Sequence, residues 1–248
     1  MKRLFTGLTD PGLLRSANQD AFYVDPGGRF FVVADGMGGH AGGQEASQIA
    51  TQVIQSHLVD HWNSIETSPA LLESALLKAN KAILQDQRRH PERSDMGTTV
   101  VVVMFREEQQ PWCAHVGDSR LYRLRGAKLE QITEDHTWVA RAIRIGEITP
   151  DQARTHRWRH VLSQCLGRED LRHVEVQPMD VRPGDRLLLC SDGLTEELSD
   201  HLIASHLKSI RACEKAATAL VKAAKDKGGR DNITVIIVTI GGLDYPSS

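Results

Sequence analysis

Residues 30–43 read FFVVADGMGGHAGG, and the reading of this stretch decides the fold. An unbroken apolar run, Phe30 to Ala34, ends abruptly in Asp35 and Gly36. Such a run has the composition of a strand interior, and a carboxylate at its end is delivered to a sheet edge, where Gly36 is expected to let the chain turn out of the sheet. A carboxylate so placed calls for a cation. An Asp-Gly pair alone is an ordinary turn signal, but four more glycines follow before residue 44. Gly36, Gly38 and Ala41 also fit the spacing of a dinucleotide fingerprint. Against that reading, Asp35 would set a negative charge beside the pyrophosphate, and no second strand with an acidic ribose ligand follows the next helix.

Working outward, Ala21–Val24 and Arg29–Ala34 are strand-like runs joined by Asp25-Pro26-Gly27-Gly28, the pattern of a β-hairpin. A register symmetric about Gly27 and Gly28 sets Asp20 opposite Asp35. Two like charges so placed are unfavourable without a counter-ion. Before the hairpin lie a first strand over 4–9 and a loop carrying Arg15 and Asn18-Gln19-Asp20. After it the apolar period becomes helical. Ala46, Ile49, Ala50, Val53, Ile54 and Leu58 share one face, and a second helix starts at Ser68, as N-cap, with Pro69 in the first turn.

Three further apolar runs carry acidic residues at their ends. Thr98–Phe105 and Trp112–Val116 lead to Gly117-Asp118-Ser119, with 121–124 and 129–133 continuing as an antiparallel meander. Arg186–Cys190 leads to Ser191-Asp192-Gly193, and Arg230-Asp231-Asn232 precedes the strand 233–240. Helical periodicity covers 200–207 and 212–225. These elements predict an α+β fold, two packed and mainly antiparallel β-sheets flanked by helices. Residues 1–241 are expected to form one domain. Between 137 and 167 regular patterning weakens around Arg154, His156, Arg157, Trp158, Arg159 and His160, which marks either a solvated insertion or a flap touching an acidic or phosphorylated substrate. Residues 242–248 are expected to be a short tail.

A length of 248 residues suits one large domain with a substantial core. The formal net charge of −2 gives no bulk attraction to nucleic acid or to an anionic membrane. Four cysteines lie without CxxC spacing, so buried thiols in a reducing cytoplasm are expected. No signal-like segment opens the chain, and no run approaches the ~20 apolar residues of a membrane span.

Asp20, Asp35, Asp118, Asp192 and Asp231 thus converge on sheet edges from distant parts of the chain. Gathered closely they would raise one another's pKa values unless cations neutralised them. Oxygen-only ligation points to Mg²⁺ or Mn²⁺. Two such ions about 3.5–4 Å apart suit hydrolysis of a phosphate ester, with Arg15 able to give bidentate hydrogen bonds to the phosphoryl oxygens. A cysteine phosphatase would need a CxxxxxR loop, which none of the four cysteines provides, and Asp192-Gly193-Leu194 lacks the second aspartate of an aspartyl-phosphate enzyme.

Arg15 with Asn18-Gln19-Asp20, Asp35-Gly36-Met37-Gly38-Gly39-His40, Gly117-Asp118-Ser119-Arg120, Ser191-Asp192-Gly193 and Arg230-Asp231-Asn232 resemble, in order and over nearly the whole chain, the motifs of the metal-dependent PPM (type 2C) serine/threonine phosphatases. The wording of these motifs, together with the compact size, looks most like the bacterial branch, and in particular like cyanobacterial members that dephosphorylate the signalling protein PII. The resemblance implies phosphoserine and phosphothreonine hydrolysis by direct attack of a water bridging two tightly held ions, without a phosphoenzyme. It implies that Asp35 bridges the two ions, with the Gly36 carbonyl on the first and Asp192 and Asp231 on the second. Asp118, with Asp192, matches the site of a third, weaker ion, and Asp20 holds ion-bound waters. Met37 stands where a candidate general-acid histidine is found in animal members, and Gln19 where a glutamate is usual. His40 is placed either to take part of the acid role or to touch ion-bound water or substrate. The implied partner is a phosphorylated protein such as PII, with no nucleic acid or membrane, and the chain is expected to be a monomer. The alternative function is a catalytically weak phosphoprotein-binding module of the same fold.

Overall fold

Strand β3 (Phe30–Met37) is apolar on both faces because both faces are covered. Phe30 and Val32 pack with buried residues of α1 (Gly42–Asp60) and α2 (Ser68–Arg89), whereas Phe31 and Val33 pack into a second cluster between two sheets. This is a computed structural model, and it describes residues 1–39, 41–106 and 110–241. His40 and residues 242–248 therefore lie outside the described residues.

The other strands are β1 (Arg3–Asp10), β2 (Asp20–Val24), β4 (Gly97–Thr98), β5 (Val100–Met104), β6 (Trp112–Val116), β7 (Arg120–Arg125), β8 (Lys128–Gln131), β9 (Glu175–Pro178), β10 (Arg186–Cys190) and β11 (Ile233–Ile240). Helices α3 (Trp138–Arg144) and α4 (Pro150–Arg154) lie in the weakly patterned segment, and α5 (Asp192–Thr195), α6 (Asp200–Ser209) and α7 (Cys213–Asp226) fall between β10 and β11. One sheet has the order β1-β11-β10-β7-β8; the other runs β2-β3-β5-β6-β9, with β4 paired on β3. Every pairing is antiparallel.

Between the sheets, Val101 and Val103 meet Leu187, Leu189, Ile236 and Val238. Outside them, alternate residues of the same strands pack on helices, Leu188 and Ile237 beside Ala217 and Leu220 of α7. The result is the expected α+β sandwich of two antiparallel sheets flanked by helices. Period-two alternation explains why β5, β10 and β11 are buried along their whole length. Cys113 of β6 and Cys190 of β10 are fully buried, as expected, whereas Cys165 and Cys213, outside the strands, are only partly buried. No helix among the described residues is long and apolar enough to cross a membrane.

Three expectations need correcting. Asp35 does not leave the sheet: β3 continues through Gly36 and Met37 by changing partner, with Gly36 opposite Thr98 and Met37 opposite Gly97 of β4. The meander is divided, because β5 and β6 belong to one sheet and β7 and β8 to the other. The chain crosses between sheets at Gly117–Ser119, and this crossing brings Asp118 to the common edge. Helix α2 has Thr67, not Ser68, at its N-cap. Strand β9 has no counterpart in the sequence reading, since it is four residues long and exposed at both ends.

Candidate functional site

In the β2–β3 hairpin Asp20 lies directly opposite Asp35, the register its turn predicts. Asp20 is 8% exposed. Its Oδ2 accepts hydrogen bonds from Ser191 Oγ, just after β10, at 2.7 Å and from Thr234 Oγ1 of β11 at 2.6 Å, so Asp20 ties its own sheet to the other. Among the described residues its Oδ1 has no hydrogen-bond partner, nor has Oδ1 of Asp192, at the first position of α5.

Asp35 is fixed through its backbone. Its amide donates to Thr99 Oγ1 at 3.1 Å, and its carbonyl accepts from the Thr99 amide at 2.9 Å and from Thr98 Oγ1 at 2.8 Å. Thr99 Oγ1 also lies 2.7 Å from Ser119 Oγ, linking Asp35 to the turn that carries Asp118. Beside Asp35, Gly36 is required by close approach: a Cβ there would lie 2.0 Å from the Gly43 carbonyl oxygen at the start of α1.

Asn232 organises the other side. Its Oδ1 accepts from the Gln19 amide at 2.8 Å, and its Nδ2 donates to the carbonyls of Pro11 and Ala17, both at 3.0 Å. The Arg15 loop is thereby seated against Asp231, whose Oδ2 accepts from Arg15 Nη2 at 2.6 Å. Arg15 keeps a side-chain exposure of 54%, at the rim.

The site therefore unites Asp35, Asp118, Asp192, Asp231, Gly36 and Arg15 around a cavity of about 550 Å³. Asp20 stands behind them, opposite Asp35, and His40 lies outside the described residues. Burial, and after it the charges of Asp20, Asp192, Asp118 and Asp231, hold the Asp35 pKa well above the usual carboxylate range. Burial and then Asp118, Glu196 and Asp231 do the same to Asp192. Burial pushes Asp20 to about 6, and burial with the nearby Asp135 pushes Asp118 to about 7. Buried, mutually repelling carboxylates with unpartnered oxygens are the donor set that hard divalent cations complete, so the residues present fit a Mg²⁺ or Mn²⁺ centre.

A second cavity, about 820 Å³, adjoins the first and shares Asp118, Asp192, Glu196, Arg230 and His160 with it. The weakly patterned segment forms one wall through Arg159 and His160, and His160 Nδ1 lies 2.6 Å from Glu196 Oε1. His156 stacks on Trp138 at 4.6 Å, and Arg157 sits 4.7 Å over the Trp158 ring, so part of the basic cluster packs on its own aromatics. Sequence reasoning missed the supporting roles of Thr99, Thr234 and Glu196. Thr99 and Thr234 carry no signal beyond β-branched strand composition. Asn232 is legible only as the residue following Asp231.

A two-sheet sandwich that gathers five carboxylates from both sheets at one edge is a scaffold for metal-dependent hydrolysis. The family described as Protein phosphatase 2C matches residues 15–227, and the chain belongs to this family of serine/threonine phosphatases. It is 36% identical over 245 residues to the serine/threonine protein phosphatase PstP of Mycobacterium tuberculosis, covering 97% of this chain and 46% of that protein. The chain thus spans about half the length of that relative. It is 34% identical to the serine/threonine phosphatase Stp of Listeria monocytogenes, covering 93% of each. Among solved structures, the catalytic domain of PstP in complex with two manganese ions is similar, with a TM-score of 0.85 and 34% identity over 97% of this chain and 99% of that one.

Proposed function

We propose that this protein hydrolyses phosphoserine and phosphothreonine in proteins, using Mg²⁺ or Mn²⁺. The observation that carries the reading is the buried carboxylate set with Asp20 Oδ1 and Asp192 Oδ1 unpartnered, supported by the two manganese ions of the PstP structure. Asp35, the Gly36 carbonyl, Asp192 and Asp231 would hold two tight ions, and Asp118 with Asp192 a third, weaker one. When bound, such ions supply Lewis acidity and a water of lowered pKa for direct attack on phosphorus, without a phosphoenzyme.

The chain's own residues do the rest. Asp20, held by Ser191 and Thr234 behind Asp35, would hold ion-bound water through its second carboxylate oxygen. Arg15, at the rim beside Asp231, orients the phosphoryl group through its planar fork. Met37 lines the same cavity and can donate no proton, and the family resemblance leaves to His40 either part of the acid role or contact with ion-bound water or substrate.

Residues 1–241 constitute the phosphatase domain, with 137–167 as a flap that reads the protein around the phosphate. Its wall of Arg159 and His160 beside the catalytic cavity supports that role. All five carboxylates come from one chain, which suits a monomer. The resemblance to compact cyanobacterial phosphatases favours a PII-like phosphoprotein in the cytoplasm as substrate. Phosphate release from a panel of phosphoserine, phosphothreonine and phosphotyrosine peptides and whole phosphoproteins, including phosphorylated PII, tests the reading. Turnover of the serine and threonine esters is expected. Binding of phosphoproteins with no phosphate release under any divalent ion would favour the catalytically silent module instead.

A further inference from the structure

We propose that His136 is a positioning residue that joins the Asp118 turn to the base of the 137–167 segment, so that ion binding at Asp118 and the placement of that segment are linked. The proposal rests on the reading above that Asp118 helps to hold an ion. Gly117 has φ +104°, and a Cβ there would lie 2.6 Å from Thr99 Cβ, so the turn is pressed on the threonine that also fixes Asp35. Both backbone groups of Gly117 bond to one residue. Its carbonyl accepts from the His136 amide at 3.0 Å, and its amide donates to His136 Nδ1 at 3.2 Å.

An amide can only donate, so Nδ1 is unprotonated and the ring proton sits on Nε2, which faces Glu175 Oε2 at 3.7 Å. Burial, and next the stacked His115 ring at 4.5 Å, push the His136 pKa down to about 4, which keeps Nδ1 an acceptor at neutral pH. The same proton placement argues against reading His115, His136 and Glu175 as a transition-metal site, because a metal on Nε2 of a neutral ring needs the proton on Nδ1.

The other side of His136 belongs to the segment. Its carbonyl accepts from the Ser163 amide at 2.8 Å, and the Trp138 amide donates to the Val161 carbonyl at 2.8 Å. Thr137 and Leu162 form the bridge between. The strip before it is clamped to β7: Arg120 Nε and Nη2 donate to the Asp135 carboxylate at 2.9 and 2.6 Å, and the Leu121 amide to Thr133 Oγ1 at 3.1 Å. The Asp118 turn, residues 133–136 and both legs of the segment are therefore one hydrogen-bonded unit centred on His136. Linkage through such a unit is reciprocal: a substrate that moves the segment changes the affinity for the ion, and the ion changes the segment.

The test compares the parent with His136→Leu, which removes the acceptor, and His136→Asn, whose Oδ1 can replace Nδ1. Manganese titration calorimetry is expected to show two tight sites unchanged in all three proteins. The weak site should lose about tenfold or more in affinity in the leucine variant and recover to within about threefold in the asparagine variant. Trp138 reports the segment: fluorescence should change as the weak site fills in the parent and the asparagine variant, but not in the leucine variant. Equal losses at all sites, an asparagine variant no better than leucine, no weak site in the parent, or no fluorescence change as it fills would each overturn the proposal. Both readouts are of binding, so absence of phosphatase activity would remove the proposed function and leave this inference standing. A parent without a weak site would do the reverse.

Discussion

Asp192 stands at the first position of a four-residue helix with one carboxylate oxygen unpartnered, outside the apolar clusters that hold the sheets together. Its replacement by alanine is expected to abolish phosphate release while leaving the circular dichroism spectrum unchanged. A loss of less than about tenfold, roughly 1.4 kcal/mol of transition-state stabilisation, would exclude it as an ion ligand. At this scale the acidic residues were legible because each follows or precedes an apolar run, and Asp20 was matched to Asp35 by counting outward from the Gly27-Gly28 turn. Their supports were not legible. Thr99, between β4 and β5, and Thr234, in β11, act through single hydroxyls at positions where valine would satisfy the same pattern, and only the fold reveals which carboxylate or backbone each one meets.

At the scale of elements, the site depends on how closely α1 approaches β3. Gly36→Ala would set a methyl group 2.0 Å from the Gly43 carbonyl, and backbone rather than a flexible side chain must then move. A stability loss of at least about 1–3 kcal/mol in denaturant unfolding is expected, with weakened manganese binding. Unchanged values for both would show that helix and strand can separate freely. The 137–167 segment contributes Arg159 to the cavity beside the carboxylates. Arg159→Ala is therefore expected to lower turnover of a phosphoprotein severalfold more than that of nitrophenyl phosphate, and parallel losses would make the residue merely structural. Strands buried on both faces announced themselves as continuous apolar runs, β-branched in β5 and β11 and leucine-rich in β10. The crossing of Gly117–Ser119 between sheets did not, because periodicity marks a strand without saying which sheet it joins.

Across the whole molecule, the carboxylate cluster makes stability depend on pH and on ions. Asp20 and Asp118 have folded pKa values of about 6 and about 7, both above the ordinary 3.8, and Asp35 and Asp192 are also held well above it. The folded chain without ions thus binds protons more tightly than the unfolded chain, so it loses stability as pH rises through these values. Below pH ~6.5 the lowered pKa values of His57 and His136 oppose that slope, since protonating them favours unfolding. The clean window is about pH 6.5 to 8. There the chelated protein is expected to melt at progressively lower temperature, and Mn²⁺ should raise the melting temperature more at pH 8 than at pH 6.5. A chelated melting temperature that rises across this window would contradict the electrostatic account.

The central claim is that the carboxylates gathered from both sheets hold the divalent ions that phosphoester hydrolysis requires. Phosphate release from a phosphothreonine peptide, followed as Mn²⁺ is added back to the exhaustively chelated protein, tests it most directly. The account expects no release at the start and activity that rises with the ion, in the parent but not in Asp192→Ala. Full turnover in excess chelator would contradict it.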